Sequence, residues 1–378
     1  MGGAETWLLE CVKHLNDHPD LNLQFDFLLT GGVESIFDDE IRKYGAKTFY
    51  KKYSLSNYFS FSTYFRKLLR EEKFDVIHNH EDFVSGWHYL SAITCLPKLR
   101  IAHLHNPYNY VRNYITGPGR FLVYKLGRIL TVLFSNKITG TSNAVMNEYG
   151  YDKWPYSAKR IQPLYCGLDP HKFEFSNSKR EKIRNELGWN FVDTKIAIFV
   201  GRIGLKKLDQ AKNQKNPEFA FEIAKKLISN YPDWNFVFAG LKGDYGDLLE
   251  KEVIKLGISE RIKFVGIQNN ISEWMSASDT MVFPAYWEGL GMVLVEAQCN
   301  GLPVVVSNTI PSEAFVNHNL VNVLELEDSS ISWMNMVVEK KASASINRLQ
   351  AKSFIENSNF SISNSISNMT KVYKGAIK

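Results

Sequence analysis

The apolar residues of the chain form short runs that alternate with longer stretches of helical spacing. The runs predict strands at 23–29, 75–80, 100–105, 137–141, 160–164, 196–201, 235–240, 261–266, 280–284, 303–307 and 322–326. The stretches of helical spacing predict helices at 4–17, 58–72, 87–94, 119–134, 216–231, 246–257 and 292–300. This alternation is typical of an α/β protein with parallel sheets and helices on both faces.

A polar and charged stretch at 171–195 divides the strands into two series. It predicts a linker between two doubly wound domains, at 1–170 and 196–358. The last segment, 359–378, also has helical spacing. It predicts a helix that can pack on either domain, with the first domain as the expected partner.

The first predicted helix follows directly on Met-Gly-Gly at the start of the sequence. In α/β proteins a glycine pair that opens a helix normally follows a strand. We therefore expect the first strand of the first sheet to be missing.

The composition, with 44% hydrophobic and 22% charged residues, is that of a soluble globular protein. The net charge of +5 is a mild, scattered basic excess without an aromatic–basic motif, so nucleic acid is not an expected partner. The four cysteines are far apart and are expected to be reduced thiols. No apolar run reaches the ~18–20 residues of a membrane-spanning helix, so we expect a cytoplasmic protein.

One amphipathic stretch qualifies that picture. Between Arg112 and Lys137 the chain combines Arg120, Lys125 and Arg128 with several large apolar residues. Such a stretch can rest on an anionic membrane as a peripheral contact. The alternative is an ordinary amphipathic core helix.

The clearest candidate chemistry follows the predicted strand at 280–284, in the sequence WEGLGMVLVE. Open parallel sheets bind ligands beyond the carboxyl ends of their strands. Gly289 and Gly291 let the backbone approach an anion, and the helix that follows offers free N–H groups and a positive dipole end. Arg202, just after the strand at 196–201, can bind the same phosphates.

Two carboxylates, Glu288 and Glu296, flank that glycine-containing turn. They would repel phosphate, but each carboxylate can accept hydrogen bonds from the vicinal hydroxyls of a sugar or a ribose. A phosphate site between two such acceptors indicates a nucleotide sugar. The alternative is that Glu288 caps the helix and Glu296 is a solvated helix position.

The second half of the chain resembles the retaining GT-B glycosyltransferases of family 4. The resemblance lies in the run VGRI…QKNPEFAFEIAKKL…VFAG…IKFVGIQNNISEWMSASDTMVFPAYWEGLGMVLVEAQCNGLPVVVS. It is most similar to bacterial enzymes of capsule, exopolysaccharide and O-antigen assembly. The amino-terminal domain of that family has segments that correspond to four stretches of this chain, GGAETWLLECVKHL, DVIHNH, RIAHLHN and KITGTSNAV. The resemblance implies a GT-B fold, with two Rossmann-like domains that face a central cleft.

The resemblance also implies roles for the turn and its two carboxylates. Glu296 would hold the ribose hydroxyls of the nucleotide, and Glu288 would contact hydroxyls of the donor sugar. The backbone amides around Gly289, Leu290 and Gly291 would bind the diphosphate and the sugar.

By the same resemblance, Arg202 would stabilise the leaving diphosphate together with a lysine. GRIGLKKLDQAKNQKNPEF carries an apparent insertion, so Lys207 matches the family lysine by distance and Lys215 by context, and Lys215 is favoured. The loop that begins at Gly266 and Ile267 would take the base.

In the first domain the resemblance places His105 at the reactive end of the sugar. His103 lies two residues earlier on the same strand face, so periodicity does not separate the two histidines. The alternative for either is a buried histidine bonded to the backbone. Gly2 and Gly3 would approach the donor phosphate.

The expected reaction moves a hexosyl unit from a nucleoside-diphosphate sugar, with a UDP-sugar as the expected donor, to a glycan or lipid-linked acceptor in surface polysaccharide synthesis. The resemblance implies a retained anomeric configuration. We expect neither a cofactor nor a metal, because no convincing pair of metal-holding carboxylates follows a strand. The alternative is a nucleotide-sugar-binding regulatory or assembly subunit with impaired catalysis. A dinucleotide oxidoreductase is excluded, since no G-x-G-x-x-G follows a first strand.

Overall fold

The computed structural model describes residues 3–112, 115–154, 160–189, 193–204, 213–339 and 347–377. The chain divides into two compact units. Unit 1 comprises Met1–Leu168 and Asn359–Lys378, and unit 2 comprises Asp169–Ser358. Each unit contains parallel strands joined through helices, as the alternation in the sequence predicts.

The strands of unit 1 are β1 (Phe27–Leu29), β2 (Thr48–Tyr50), β3 (Val76–Asn79), β4 (Leu99–Leu104), β5 (Lys137–Gly140) and β6 (Ile161–Pro163). Its helices are α1 (Gly3–Asp17), α2 (Asp38–Lys43), α3 (Tyr58–Glu72), α4 (Ser85–Ser91), α5 (Tyr108–Arg112), α6 (Gly117–Phe134), α7 (Asn143–Tyr149) and α16 (Ile362–Ile377). Strands β3 to β6 form a parallel sheet in that order, and β1 and β2 form a separate parallel pair. Among the described residues, β1 pairs only with β2, and β3 pairs only with β4.

The strand at β1 is shorter than the predicted run 23–29, because the polar side chains before it have other partners. Asp26 accepts a hydrogen bond from the backbone N–H of Lys47, and Gln24 donates to Asp26. The strand β2 has only three half-buried residues, so its sequence carries no apolar run that could have predicted it.

The final helix, α16, is part of unit 1. The indole N–H of Trp7 on α1 donates to the hydroxyl of Ser365 at 3.0 Å, and both side chains are buried. Gly167 makes the close approach possible, since a Cβ atom there would lie 2.9 Å from the Cα of Ile362. A larger residue at 167 would push α16 away from the sheet.

The strands of unit 2 are β7 (Lys195–Val200), β8 (Trp234–Ala239), β9 (Ile262–Gly266), β10 (Thr280–Phe283), β11 (Val304–Ser307) and β12 (Val321–Leu324). Its helices are α8 (Pro170–Phe173), α9 (Asn177–Leu187), α10 (Pro217–Asn230), α11 (Gly243–Lys255), α12 (Ile271–Ala277), α13 (Met292–Cys299), α14 (Ser330–Glu339) and α15 (Lys352–Glu356). All six strands are parallel, and β7, β8, β10 and β11 are almost wholly buried, which explains their near-continuous apolar sequences.

The strand order in unit 2 is β12-β11-β10-β7-β8-β9. The chain starts at β7 in the middle of the sheet, winds outward to β9, and then returns to β10 on the other side of β7. This is the doubly wound order of Rossmann folds, and its direction reverses between β7 and β10. In this fold, ligands bind beyond the carboxyl ends of the strands, at the point where the strand order reverses.

The segment 171–195, predicted as a linker, is folded into unit 2, because its polar side chains have buried partners. Arg180 and Arg184 on α9 each form an ion pair of 2.7 Å with Asp279, which precedes β10. Asp279 also accepts the backbone N–H of Ile196. Burial alone would raise the pKa of Asp279, but the charges of Arg180 and Arg184 hold it below its usual value.

Replacing Asp279 with alanine is expected to destabilise unit 2 by about 3–5 kcal/mol, since two arginines lose their buried counter-charge. The change in the free energy of unfolding is measured by urea unfolding, with hydrogen exchange of the backbone amides of β7 and β10 as the probe. Asp233→Ala is the control, because Asp233 forms an ion pair with Lys195 in which both side chains are about a third exposed. Its expected effect is below about 1 kcal/mol. Equal losses in the two variants would contradict a special role for Asp279.

Helix α6 buries one face and exposes another. Tyr124, Thr131 and Val132 are buried within unit 1. The large apolar side chains on the exposed face are Phe121, Leu122, Leu126, Ile129 and Leu133, of which Leu133 is 65% exposed. Across the part of the chain that the structure describes, no helix combines the length and the apolar character needed to cross a membrane.

Candidate active site

The loop that precedes α10 is held against the loop that follows β10. The carbonyl of Gln214 accepts the N–H of Tyr286 at 2.8 Å, and the side-chain amide of Gln214 donates to the carbonyl of Trp287 at 3.1 Å. Asn216 caps α10 by accepting the N–H of Phe219, with a left-handed φ of 52°. The two contacts of Gln214 join segments that are about seventy residues apart in the sequence.

The joined loops bring Lys215 to Glu288. The ammonium of Lys215 forms an ion pair with the Glu288 carboxylate, and the side chains are only 17% and 8% exposed. The Lys215 nitrogen also lies 4.9 Å from the centre of the Phe283 ring at the end of β10. A pair buried this far is a fixed feature of the site, since neither charge can be solvated fully.

Helix α13 begins directly after Gly291, whose φ of 92° lies in the left-handed region. A side chain at 291 would be strained there, so glycine is suited to this helix start. The N–H of Leu294 in the first turn donates to the carbonyl of Gly291, and the start of α13 carries the positive end of the helix dipole. Leu290, just before the helix, is buried, and Gly289 is half-buried.

Glu296 lies on the same helix and is half-buried. Burial raises the pKa of its carboxyl group to about 7, and the charge of Lys215 partly opposes the shift. Lys215 therefore interacts with both carboxylates that the sequence analysis singled out. A carboxyl group with a pKa near neutrality in a sheet-edge crevice is typical of a binding or catalytic site.

The other predicted residues of unit 2 lie at the same carboxyl edge. Arg202 follows β7 and is exposed to solvent. Gly266 ends β9 with a φ of 68°, and Ile267 after it is 59% exposed. The edge thus presents a guanidinium and an apolar side chain in addition to the Lys215 group. Lys207 lies outside the described residues.

In unit 1, His105 follows β4 and is half-buried, whereas His103 within β4 is fully buried. Gly3 is the first residue of α1 and is exposed, and Gly2 lies outside the described residues. The roles that the resemblance implies for His105 and Gly3 stay predictions.

Sequence reasoning missed Asp82, which fixes the backbone at the end of β4. Its carboxylate accepts the N–H of His105 at 2.7 Å and the side-chain amide of Asn106 at 2.9 Å. Asp82 has a left-handed φ of 47° and is buried. Burial raises the pKa of its carboxyl group, and the bonds from Asn106 and His105 oppose the shift. The available signal was the acidic pair Glu81-Asp82, which comes directly after the strand DVIHNH.

The arrangement in unit 2 can bind a ligand that is anionic in one part and rich in hydroxyls in another. Lys215, Arg202 and the start of α13 suit phosphate oxygens. Glu288 and Glu296 suit hydroxyl donors, because an ionised carboxylate only accepts hydrogen bonds. Fixed positive groups of this kind also stabilise charge that develops on a leaving group.

Comparison with solved structures identifies the fold of the chain as the GT-B fold. The chain superposes on HepE of Anabaena in complex with UDP with a TM-score of 0.76, over 99% of this chain and 96% of that one. The two sequences are 18% identical. The GT-B fold predicted from the sequence is thereby confirmed.

Two family models match the chain on either side of the unit boundary. The model of Glycosyltransferase Family 4 matches residues 1–172, and that of Glycosyl transferases group 1 matches residues 179–332. Together the two models cover most of the chain, and both describe glycosyltransferases, so the resemblance suggested by the sequence motifs is confirmed.

Relatives of known name match along most of the chain. The capsular polysaccharide biosynthesis glycosyltransferase CapH of Staphylococcus aureus is 27% identical, over 98% of this chain and 95% of CapH. The UDP-Gal:alpha-D-GlcNAc-diphosphoundecaprenol alpha-1,3-galactosyltransferase of Escherichia coli is also 27% identical, over 84% of this chain and 80% of that enzyme. The chain is thus similar in both halves to glycosyltransferases that are named for surface-glycan synthesis.

Proposed function

We propose that the protein transfers a hexosyl unit from a UDP-sugar to a glycan or lipid-linked acceptor in surface polysaccharide synthesis, with retention of the anomeric configuration. The observation that carries this proposal is the group formed by Lys215, Glu288 and Glu296 beside the start of α13, at the point where the strand order of unit 2 reverses. A nucleotide sugar carries a diphosphate between two parts that bear hydroxyl groups, the ribose and the sugar. It therefore matches these three residues better than any other common class of metabolite.

Each residue has a distinct task in the proposed reaction. Glu296 accepts hydrogen bonds from the ribose hydroxyls, and Glu288 accepts them from the donor sugar. Arg202, Lys215 and the first-turn amides of α13 take up the charge of the departing diphosphate. These fixed charges do the work of a divalent metal at the diphosphate, so we propose that none binds there.

The donor and acceptor classes are supported by the relatives. HepE has been solved with UDP and with UDP-glucose. The Escherichia coli relative is named for a UDP-Gal donor and a diphosphoundecaprenol-linked acceptor. We propose the same classes for this protein, a UDP-sugar and a lipid-linked glycan, without assigning the sugar or the linkage.

Calorimetric titration with UDP, GDP, UDP-glucose, UDP-galactose and GDP-mannose tests the proposed donor site without an acceptor. We expect UDP and one UDP-sugar to bind and the GDP compounds not to bind. A folded chain that binds none of them would contradict the proposal. Binding without hydrolysis or transfer would instead favour a nucleotide-sugar-binding subunit with impaired catalysis. With an acceptor in hand, an inverted product would overturn the retaining mechanism.

The affinity for a UDP-sugar is expected to rise with pH. The pKa of Glu296 is about 7 in the free protein, and only the ionised carboxylate accepts hydrogen bonds from both ribose hydroxyls. Between pH 6 and pH 8 the ionised fraction, and with it the affinity, increases about tenfold. Calorimetry across this range measures the slope. Glu296→Gln is expected to bind weakly and without the slope, whereas an unchanged slope in this variant would assign it to another group.

The exposed face of α6 is proposed to rest on an anionic membrane. Its apolar side chains lie among exposed basic residues, and the Lys125 nitrogen lies 4.6 Å from the centre of the Phe121 ring. Apolar side chains with flanking cations are typical of interfacial helices. A lipid-linked acceptor would be reached most directly from that surface.

Serine at both Leu122 and Leu133 is expected to weaken sedimentation with phosphatidylglycerol vesicles by more than about tenfold, because each leucine contributes about 1.5–3 kcal/mol when fully buried. Serine at both Val33 and Ile36 is the matched control, since these side chains are 72% and 73% exposed elsewhere in unit 1. Equal losses in the two double variants, or no loss in the first, would contradict docking through α6.

A further inference from the structure

Four histidines form a two-by-two array on one face of the sheet in unit 1. His78 and His80 lie in and just after β3, and His103 and His105 lie in and just after β4. Residues two apart on a strand point to the same face. The ring centres are 4.3 Å apart along each strand, and 5.2 Å (His78 to His103) and 5.1 Å (His80 to His105) apart between the strands.

Three of these imidazoles present their nitrogens to one another. One ring nitrogen each from His78, His80 and His103 lie within 4.8 Å of one another. The Nε2 atom of His78 is 3.1 Å from the Nδ1 atom of His103. Two nitrogens on a tetrahedral zinc ion, at about 2.0–2.1 Å from the metal, are about 3.4 Å apart. One pair is therefore already at a suitable spacing, and a ring nitrogen of His80 lies within 4.8 Å of both.

Metal binding requires the neutral form of the imidazole rings. A neutral imidazole keeps one nitrogen with a free lone pair, which is the form that binds metals.

Neighbouring residues hydrogen-bond to these rings and orient them, as the hydrogen-bond partners of metal ligands do. The Nδ1 atom of His78 is 2.8 Å from the hydroxyl of Tyr373 on α16, which leaves Nε2 of His78 for a metal. The Nδ1 atom of His80 is bonded to His105 at 2.8 Å, which leaves Nε2 of His80. Trp7 packs edge-on against the rings of His80 and His103.

We propose that unit 1 binds one divalent transition-metal ion, of the zinc class, through His78, His80 and His103. Three imidazoles suit Zn²⁺, Ni²⁺ or Cu²⁺, whereas Mg²⁺ and Ca²⁺ require oxygen ligands. The nearby carboxylates already accept hydrogen bonds. Glu81 accepts one from the hydroxyl of Thr30, and Asp82 accepts from the side-chain amide of Asn106 and from the backbone after β4. Three protein ligands leave a fourth position for water or another oxygen ligand.

This proposal does not depend on the proposed transferase function. The residues of unit 2 proposed to bind the donor are carboxylate and cationic groups, whereas the metal ligands are imidazoles of unit 1. His105, which the resemblance places at the sugar, is hydrogen-bonded to His80 but is not one of the three proposed ligands. A failure of one proposal therefore leaves the other intact, and metal binding can be measured without any nucleotide or acceptor.

Metal-free full-length protein titrated with Co²⁺ tests the site, because tetrahedral cobalt absorbs visible light far more strongly than octahedral cobalt. We expect one equivalent to bind with the tetrahedral spectrum and to be displaced by Zn²⁺. His78→Asn and His80→Asn, at half-buried positions, are each expected to weaken binding by more than about 100-fold. Loss of a residue that only hydrogen-bonds to a metal ligand weakens binding by about 10–100-fold. Circular dichroism and thermal melting confirm that each variant is folded.

The double variant His14→Asn, His18→Asn is the matched control, because these two rings stack at 4.0 Å on a different part of unit 1 and are a second plausible chelating pair. It is expected to keep the cobalt spectrum. Loss of the spectrum in this control, its persistence in folded His78→Asn, or no tetrahedral spectrum with the original protein would each overturn the proposal.

Discussion

Replacing Glu296 with alanine is expected to weaken the binding of UDP by about 100-fold. A hydrogen bond to a charged group contributes about 1.5–3 kcal/mol, and each 1.4 kcal/mol is a tenfold change in affinity. The ribose offers two hydroxyls to this carboxylate, so the larger part of that range applies. Calorimetry with UDP measures the change directly, and it needs no knowledge of the sugar or the acceptor.

Glu222→Ala provides the matched control, because Glu222 lies on α10 and forms an ion pair with Lys225 in which its side chain is 51% exposed. UDP affinity is expected to stay within twofold there, as exposed ion pairs contribute about 0–1 kcal/mol. Undiminished UDP binding by Glu296→Ala would mean that the ribose is held elsewhere, and the interpretation of the paired glutamates would have to be abandoned.

Replacing Lys215 with alanine is expected to lower turnover by about 100- to 1,000-fold, the usual effect of removing one group that stabilises a developing negative charge. The release of UDP from a UDP-sugar, with water as the acceptor, measures this turnover. The loss should fall mainly on kcat, since the diphosphate gains charge as the sugar leaves. The variant also leaves the buried carboxylate of Glu288 without its partner, so UDP affinity must be measured alongside.

Lys225→Ala is the control for this variant, because Lys225 pairs with Glu222 and Glu252 on the surface of unit 2. Its turnover is expected to match that of the original protein. The alternative lysine, Lys207, supplies a second comparison. A large loss of turnover in Lys207→Ala combined with normal turnover in Lys215→Ala would reverse the assignment between the two.

The elements of the fold could be predicted where burial dictates the sequence. Strands such as β7 and β8 are buried on both faces and so read as continuous apolar runs. The segment around α9 misled the prediction for the opposite reason, since Arg180 and Arg184 are polar residues whose partner, Asp279, lies about one hundred positions later. Local polarity does not reveal whether a charge faces water or a distant counter-charge.

In the candidate site, too, sequence patterns indicate local features but not contacts between distant segments. Glu288, the glycines and Glu296 are close in sequence, so their spacing alone indicates a turn and a helix start. The choice between Lys207 and Lys215 depends on contacts such as that between Gln214 and Tyr286, which join distant loops. The histidine array likewise depends on the pairing of β3 with β4, because periodicity gives the face of a strand but not its neighbour.

The placement of α16 has a consequence for how the molecule is made. Leu168 is hydrogen-bonded through its backbone to Phe360 and Ile362, so the chain leaves unit 1 and re-enters it at adjoining points. During synthesis, all of unit 2 emerges from the ribosome before α16 does. Unit 2 can therefore fold while unit 1 still lacks the helix that covers Trp7 and His78. The half that is translated first is the half that is completed last, and a chain cut shortly before residue 360 would release a finished unit 2 attached to an unfinished unit 1.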